Sequence, residues 1–223
     1  MRFLQKVLGI WFRFVFASWL VGPFLVAGTF LWSREWMYLA VLVAGVVSGQ
    51  LYVARKNPAL RKRRRTLGAN TKRWDLAWNA FFWPLMASAP IAAGFEARGG
   101  VAPLPVWVLF LGLPLFAAGI SLSAWAMATN PHFEGTVRIQ EDHRVVDSGP
   151  YRLLRHPGYL ALILWACATP LILRSALAIP FAVATALWIA LRTALEDRML
   201  QRELPGYREY AQRVRTRLLP EVW

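Results

Sequence analysis

The chain has 223 residues, of which 57% are hydrophobic and 17% are charged, and it contains 12 tryptophans. This composition excludes an ordinary soluble domain, in which about 25% of the residues are charged. The formal net charge of +14 is compatible with nucleic-acid binding, but the apolar segments between the charges indicate a polytopic membrane protein instead. No nucleic acid is expected as a partner.

Apolar segments near the bilayer-spanning length of about 20 residues recur along the chain. We expect an all-α bundle of five to six membrane-spanning helices, because backbone polar groups in a bilayer are best satisfied within helices. The fifth span is short, and a tight turn at Arg174 separates it from the sixth, so these two are predicted to form a helical hairpin. The predicted spans are Val7–Leu31, Trp36–Ala54, Leu76–Phe95, Leu104–Ala128, Tyr159–Leu173 and Ala176–Leu191.

The sequence predicts a single integral membrane domain over residues 1–223, without an internal repeat. Residues 1–100 are typical of anchor helices, whereas residues 101–223 hold the functional motifs. The tail after Leu191 is amphipathic and basic, and its first part is expected to extend the last span as a helix. Pro205 and Gly206 then predict a break, followed by a short helix, Tyr207–Arg217, along the membrane surface.

Basic residues indicate how the bundle is oriented in the membrane. Of the 26 Lys and Arg, 23 lie at the N-terminus, in the 55–75 and 129–158 loops, and in the tail. Because positive charge is retained in the cytoplasm, both loops and both termini are predicted to be cytoplasmic. The basic run Arg61–Arg65 is interpreted as a topology signal that also attracts anionic lipid head groups.

Polar chemistry concentrates in the segment Val137–Tyr159, which carries two of the three histidines. Pro157 predicts a helix start, because the N–H that proline lacks would have no partner at that position. Arg155 and His156 would then lie just outside the fifth span, where a helix N-terminus favours an anion such as a carboxylate. These two residues could equally mark the lipid interface, but a structured polar loop at a helix start favours a ligand site.

Arg192 and Glu196 are spaced so that they share one helix face where the last span leaves the bilayer. One interpretation is an ion pair between them, with the Arg192 side chain reaching toward the interface. In the other, Glu196 accepts hydrogen bonds from one ligand while Arg192 anchors a second. Asp197 is a weaker candidate because it points to another face. The spacing of the three histidines matches no compact ligand motif, so no metal is predicted.

Several motifs, taken in order, resemble the C-terminal core of isoprenylcysteine carboxyl methyltransferases. That membrane methyltransferase group also includes phospholipid N-methyltransferases and thiol S-methyltransferases. The resemblance covers about Thr129–Trp223. The residues that carry it are Gln140, the HRVV run (His143–Val146), Tyr151, the HPGY run (His156–Tyr159), Arg192, Glu196 and the later PGYREY sequence.

The resemblance implies an S-adenosylmethionine-dependent methyltransferase, with the cofactor in a cytoplasm-facing pocket roofed by the 129–158 loop and the tail. Arg192 would be the catalytic, substrate-side residue for a lipophilic or small carboxylate, thiol or amine acceptor arriving from the bilayer. The Ala- and Arg-rich composition hints at a prokaryotic inner membrane, where prenylated CaaX proteins are not expected, so the acceptor stays open. The implied cofactor-binding residues are Gln140, His143, Arg144, Val145, Val146, Tyr151, Arg155, His156, Pro157, Gly158, Tyr159 and Glu196.

Two other functions stay open at this point. A membrane reductase of the sterol-reductase type would use NADPH, and Arg138, Arg144 and Arg152 would bind its 2′-phosphate. A non-enzymatic scaffold would recruit anionic lipid through the basic 55–73 loop and the tail, but it leaves the HPGY, Arg192 and Glu196 motifs without a purpose. The sequence leaves the oligomeric state open.

Overall fold

The computed structural model describes residues 2–58, 60, 73–135 and 143–219, and these residues form seven α-helices and no strand. An all-α bundle is therefore confirmed. Short 3-10 turns at Val106–Val108 and Gly149–Arg152 precede the fourth and fifth helices. The helices are α1 Arg2–Ala27, α2 Ser33–Lys56, α3 Arg73–Arg98, α4 Leu109–Thr129, α5 Pro157–Leu173, α6 Ile179–Glu203 and α7 Tyr207–Arg213.

Several of these helices are suited to a membrane, which makes the chain a membrane protein. Among the described residues, Ser33–Lys56, Val106–Thr129 and Ile179–Glu203 are long and apolar enough to cross a bilayer. Two shorter apolar helical segments, Arg13–Ala27 and Pro157–Leu173, accompany them. Each of the six predicted spans coincides with a helix, and the sixth continues beyond its predicted end to Glu203, as the amphipathic tail indicated.

The predicted hairpin between the fifth and sixth spans is confirmed. Helix α5 ends at Arg174, whose φ of 54° is left-handed, a conformation that helix ends usually reserve for glycine or asparagine. The Nε of Arg174 donates to the carbonyl oxygen of Leu104 at 2.6 Å, which ties the turn to the segment before α4. The chain then enters α6 at Ile179.

Helix α5 lies at the centre of the bundle, in contact with α2, α3, α4 and α6. Its closest neighbour is α4, because glycines let the two backbones approach. A Cβ on Gly119 would lie 2.9 Å from the carbonyl oxygen of Ala161, and one on Gly112 would lie 2.8 Å from the Cβ of Leu171. Such small-residue contacts supply packing energy where lipid offers no hydrophobic drive. They fix the start of α5 beside the end of α4.

We call one end of the bundle the loop end; α2, α4 and α6 finish there, and α3 and α5 begin there. The tail folds back over this loop end. Gly206, with a φ of 80°, makes the predicted break after α6. Tyr207 and Tyr210 of α7 are buried in a cluster with Met199 and Leu200 of α6. Helix α7 therefore packs against the end of α6.

The prediction that the second tail helix reaches Arg217 was wrong, since α7 ends at Arg213. Beyond that point the tail backbone pairs with the start of α5 instead of continuing its own helix. The backbone N–H of Arg155 donates to the carbonyl oxygen of Thr216 at 2.9 Å, and that of His156 donates to Arg217 at 3.1 Å. Those carbonyl groups are drawn away from helical geometry.

Candidate functional site

A cavity of about 600 Å³ lies at the loop end and runs into the bundle. This volume falls within the range of about 300–1,000 Å³ that is typical of small-molecule sites. Its lining has a polar part and an apolar part. The polar part includes His143, Arg144, Tyr151, His156, Tyr159, Arg192 and Glu196. The apolar part includes Phe16, Trp19, Leu20, Leu42, Val43, Val47 and Ile120.

The apolar part of the cavity reaches the outer surface of the bundle between α1 and α2. Phe16, Val43 and Val47 line the cavity and are also 44%, 55% and 50% exposed. Helix α1 packs mainly on α3 and makes little contact with α2, which leaves a groove between α1 and α2. The cavity thus connects a polar pocket at the loop end with an exposed apolar surface.

The structure brings the sequence-predicted site residues together around this cavity. Every predicted cofactor-binding residue that the structure describes lines it, and so does Arg192. Gln140 lies outside the described residues, as does Arg138. The predicted residues come from the segment before α5, from the first turn of α5 and from the end of α6, which are far apart in the sequence but adjacent in the bundle.

The start of α5 is shaped by the segment that follows α4. Pro157 occupies the first turn of α5 and His156 precedes it as the N-terminal cap residue, as predicted. A Cβ on Gly158 would lie 2.6 Å from two ring atoms of Phe133, so only glycine lets that ring approach. The side-chain amide of Asn130 donates to the Tyr151 hydroxyl at 3.3 Å. The residues that line the polar part of the cavity are therefore held in place by packing and hydrogen bonds.

Arg192 and Glu196 take different partners, so the predicted ion pair between them was the wrong interpretation. Glu196 accepts a hydrogen bond from the Tyr159 hydroxyl. The Nη2 of Arg192 instead forms an ion pair with the carboxylate of Asp75 in α3, at 2.8 Å. Both side chains line the cavity, and the second interpretation, in which Glu196 and Arg192 serve separate ligands, stays a prediction.

The Arg192 guanidinium is buried and held on several sides. Its Nη2 also donates to the carbonyl oxygen of Gly135 at 3.2 Å. Its carbon lies 4.2 Å from the centre of the Trp78 ring and 5.4 Å from that of Tyr159, within the range of cation–π attraction. Its Nε is buried and has no hydrogen-bond partner among the described residues. A buried donor without a partner is costly, so the other contacts of the guanidinium must hold it in place.

Asp197 is the centre of the contacts that dock the tail. Its carboxylate is fully buried and pairs with both Nε and Nη2 of Arg155, at 2.8 and 3.1 Å. His156, Tyr207 and Arg217 also approach it, at 3.2, 3.1 and 3.0 Å. Burial, together with the negative charge of Asp197, raises the pKa of the Tyr207 hydroxyl, which therefore stays neutral and donates.

Arg155, which was predicted to bind cofactor, has each of its three guanidinium nitrogens engaged by the protein. Besides the two nitrogens on Asp197, its Nη1 donates to the carbonyl oxygens of Val214 and Arg215, at 2.8 and 3.0 Å. The same Nη1 lies 3.4 Å from the carbonyl oxygen of Ala211, in the last turn of α7, where a helix leaves its carbonyl groups unsatisfied. The observed contacts of Arg155 hold the tail against the start of α5.

Sequence reasoning missed Asp75 and Trp78 and underrated Asp197. The sequence does carry a signal for Asp75, because an ionisable residue at the edge of an apolar span is expensive and usually has a partner. Asp197 does point away from the face shared by Arg192 and Glu196, and that other face meets Arg155. Within the described ranges, no group of three His, Cys, Asp or Glu side chains is placed to hold a metal ion.

The fold and the cavity define a helical membrane protein in which a polar pocket at one end of the bundle opens into an exposed apolar groove. The model of the isoprenylcysteine carboxyl methyltransferase family matches residues 110–202. This part of the chain, from α4 to the end of α6, is similar to that family, which agrees with the resemblance seen in the motifs. The match begins earlier than the motifs indicated and ends before α7.

Similar proteins are found in plants. The chain is 33% identical over 113 residues to protein-S-isoprenylcysteine O-methyltransferase B of Arabidopsis thaliana, covering 48% of this chain and 57% of that protein. It is 31% identical over 118 residues to a probable protein-S-isoprenylcysteine O-methyltransferase of Oryza sativa subsp. indica, covering 50% and 61%. The similarity thus spans less than two thirds of the length of either relative.

Proposed function

We propose that the protein is an integral membrane methyltransferase that moves the methyl group of S-adenosylmethionine to a lipophilic or small acceptor. The observation that carries this proposal is the single cavity that joins the family's polar residues to a groove facing lipid. A water-soluble cofactor and a membrane-dissolved acceptor could meet there from opposite sides. The relatives are named for an S-isoprenylcysteine substrate, so a prenylated thioether carrying a carboxylate is the first acceptor to test.

The charge distribution supports a cytoplasmic position for the loop end and both termini, because that side carries 23 of the 26 basic residues. In this orientation the polar part of the cavity opens to the compartment that contains S-adenosylmethionine. The composition favours a prokaryotic inner membrane. The bilayer itself is then the second partner, since the acceptor reaches the cavity through the groove between α1 and α2.

The polar part of the cavity suits the chemistry of the cofactor. The Glu196 carboxylate, already accepting from Tyr159, has oxygen lone pairs left for ribose hydroxyls. Val145 and Val146 offer apolar surface to an adenine, and Arg144 lies exposed at the rim, where it could pair with the cofactor's carboxylate. We assign Arg155 the task of holding the tail, because its donors are already engaged.

S-adenosylmethionine, when bound, supplies an electrophilic methyl group. The protein's task is to align the acceptor with it and to exclude water. Arg192 would orient the acceptor through the charge of its guanidinium, while Trp78 and Tyr159 hold that group in place. The docked tail would close the loop end. An acceptor that is already a carboxylate or thiolate needs no general base.

Binding and transfer of labelled cofactor test the proposal. The full chain, purified in detergent, is incubated with methyl-labelled S-adenosylmethionine and either N-acetyl-S-farnesylcysteine or a membrane lipid extract. We expect saturable cofactor binding and labelled product, base-labile if a carboxylate is the acceptor. Glu196→Ala should weaken binding, whereas Glu209→Ala, an exposed residue of α7, should not.

Binding that is equal in the native chain and in Glu196→Ala would contradict the placement of the cofactor. Displacement of the label by NADPH would support the reductase alternative. Lipid binding without any cofactor binding would support the scaffold alternative.

A further inference from the structure

Helix α3 presents a set of side chains to the end of α6 that the family match does not include. Asp75 and Trp78 lie one turn apart on α3, and they face Trp188 and Arg192, one turn apart on α6. The indole Nε1 of Trp78 donates to the carbonyl oxygen of Trp188 at 3.1 Å, and that of Trp188 donates to Trp78 at 3.5 Å. These reciprocal bonds hold the two helices in one register.

This register places Asp75 against Arg192. The Asp75 carboxylate is fully buried, the Arg192 side chain is 6% exposed, and their atoms are 2.8 Å apart. Arginine is long and flexible, but its planar guanidinium is fixed once one edge is bound by a carboxylate and one face by an aromatic ring. Asp75 binds the edge, Trp78 covers a face at 4.2 Å, and the side chain held in this way lines the cavity.

We propose that Asp75 is a positioning residue that acts on the methyl acceptor through Arg192. The inference rests on the proposed function, in which Arg192 orients the acceptor. Asp75 holds the guanidinium at the cavity wall, where the acceptor would lie, and keeps its charge in place while no acceptor is bound. The N-terminal half of the chain, outside residues 110–202, thereby contributes to the reaction geometry.

The test compares Asp75→Asn and Asp75→Glu with Arg192→Lys in the full chain, using labelled S-adenosylmethionine and N-acetyl-S-farnesylcysteine or the lipid extract. We expect Asp75→Asn to lower kcat by about 10- to 100-fold, because a displacement of about 1 Å in a positioning group can cost that much. Asp75→Glu keeps the charge but moves the carboxylate, and it should give a smaller loss. The dissociation constant for S-adenosylmethionine should stay the same in both variants.

The double variant Asp75→Asn/Arg192→Lys separates positioning from a merely structural role. If Asp75 acts only through Arg192, the double variant should transfer methyl no more slowly than Arg192→Lys alone. The inference would be overturned if the kcat losses of Asp75→Asn and Arg192→Lys multiply in the double variant. It would also be overturned if cofactor affinity falls in parallel with kcat, because either result shows a structural role. Asp147→Asn, which removes an exposed carboxylate paired with Arg213, is the matched control and should leave transfer unchanged.

The outcomes also separate this inference from the proposed function. If the native chain transfers methyl and Asp75→Asn does so at the same rate, the inference fails and the proposed function stands. If the native chain binds no cofactor and labels no acceptor, both fail. If Asp75→Asn does not fold, a native kcat in folded Asp75→Glu overturns the inference, and a reduced kcat with unchanged cofactor affinity supports it.

Discussion

Replacing Asp197 with asparagine should undock the tail while leaving the helices of the bundle in place. The carboxylate is fully buried and pairs with Arg155, whose side chain is 5% exposed. Asparagine keeps an oxygen but loses the charge, and its amide nitrogen would face a buried guanidinium. Breaking a buried ion pair by removing one partner costs about 3–5 kcal/mol. The lower figure corresponds to roughly a 100-fold change in the docking equilibrium.

Hydrogen exchange at two backbone amides reports this equilibrium directly. The N–H groups of Arg155 and His156 donate to the tail carbonyls of Thr216 and Arg217, so they are protected only while the tail is docked. Because exchange follows the population of the open form, we expect both amides to exchange about 100-fold faster in Asp197→Asn. Amides within α4 should keep their native rates.

A matched variant shows whether the effect belongs to the buried cluster. Arg213→Gln removes the ion pair with Asp147, whose side chains are 64% and 57% exposed. Exposed pairs contribute about 0–1 kcal/mol, so exchange at Arg155 and His156 should change little. If these amides exchange at the native rate in Asp197→Asn, or equally fast in both variants, Asp197 is not what holds the tail.

Two further predictions concern the loop end. Gly158→Ala should weaken S-adenosylmethionine binding in a titration, because the added methyl group overlaps the Phe133 ring and overpacking costs about 1–3 kcal/mol. Adding Phe133→Leu should restore the affinity. If the affinity is not restored, contact with Phe133 is not the reason why residue 158 is glycine. Burial raises the pKa of Tyr207 above its ordinary value of 10.0, so the stabilisation from its neutral hydroxyl is complete below pH 10 and is lost at higher pH. The unfolding midpoint in detergent should therefore fall less between pH 9 and 11 in Tyr207→Phe than in the native chain, and equal slopes would contradict this role.

The helices and the polar half of the site could be predicted from the sequence because their signals are local. Apolar runs predict spans, Pro157 predicts a helix start, and the spacing of Arg192 and Glu196 predicts a shared face. The partners of these residues were not predictable in this way. Asp75 meets Arg192 only because α3 and α6 pack side by side, a fact that no local pattern contains. The shorter α7 is a similar case, since the tail backbone beyond it pairs with the start of α5, a contact between segments far apart in the sequence.

Docking of the tail is also expected to be a late step in the assembly of the protein, after α1–α6 have been made. Domains form progressively during synthesis, and the tail carbonyls that hold Arg155 are translated after all of α1–α6. A nascent chain that stops before residue 214 would carry the apolar helices but could not cap the start of α5 with the contacts seen here. The helices of the bundle can thus insert into the membrane before the tail docks on the loop end. Docking of the tail would then show that the ribosome has translated the tail.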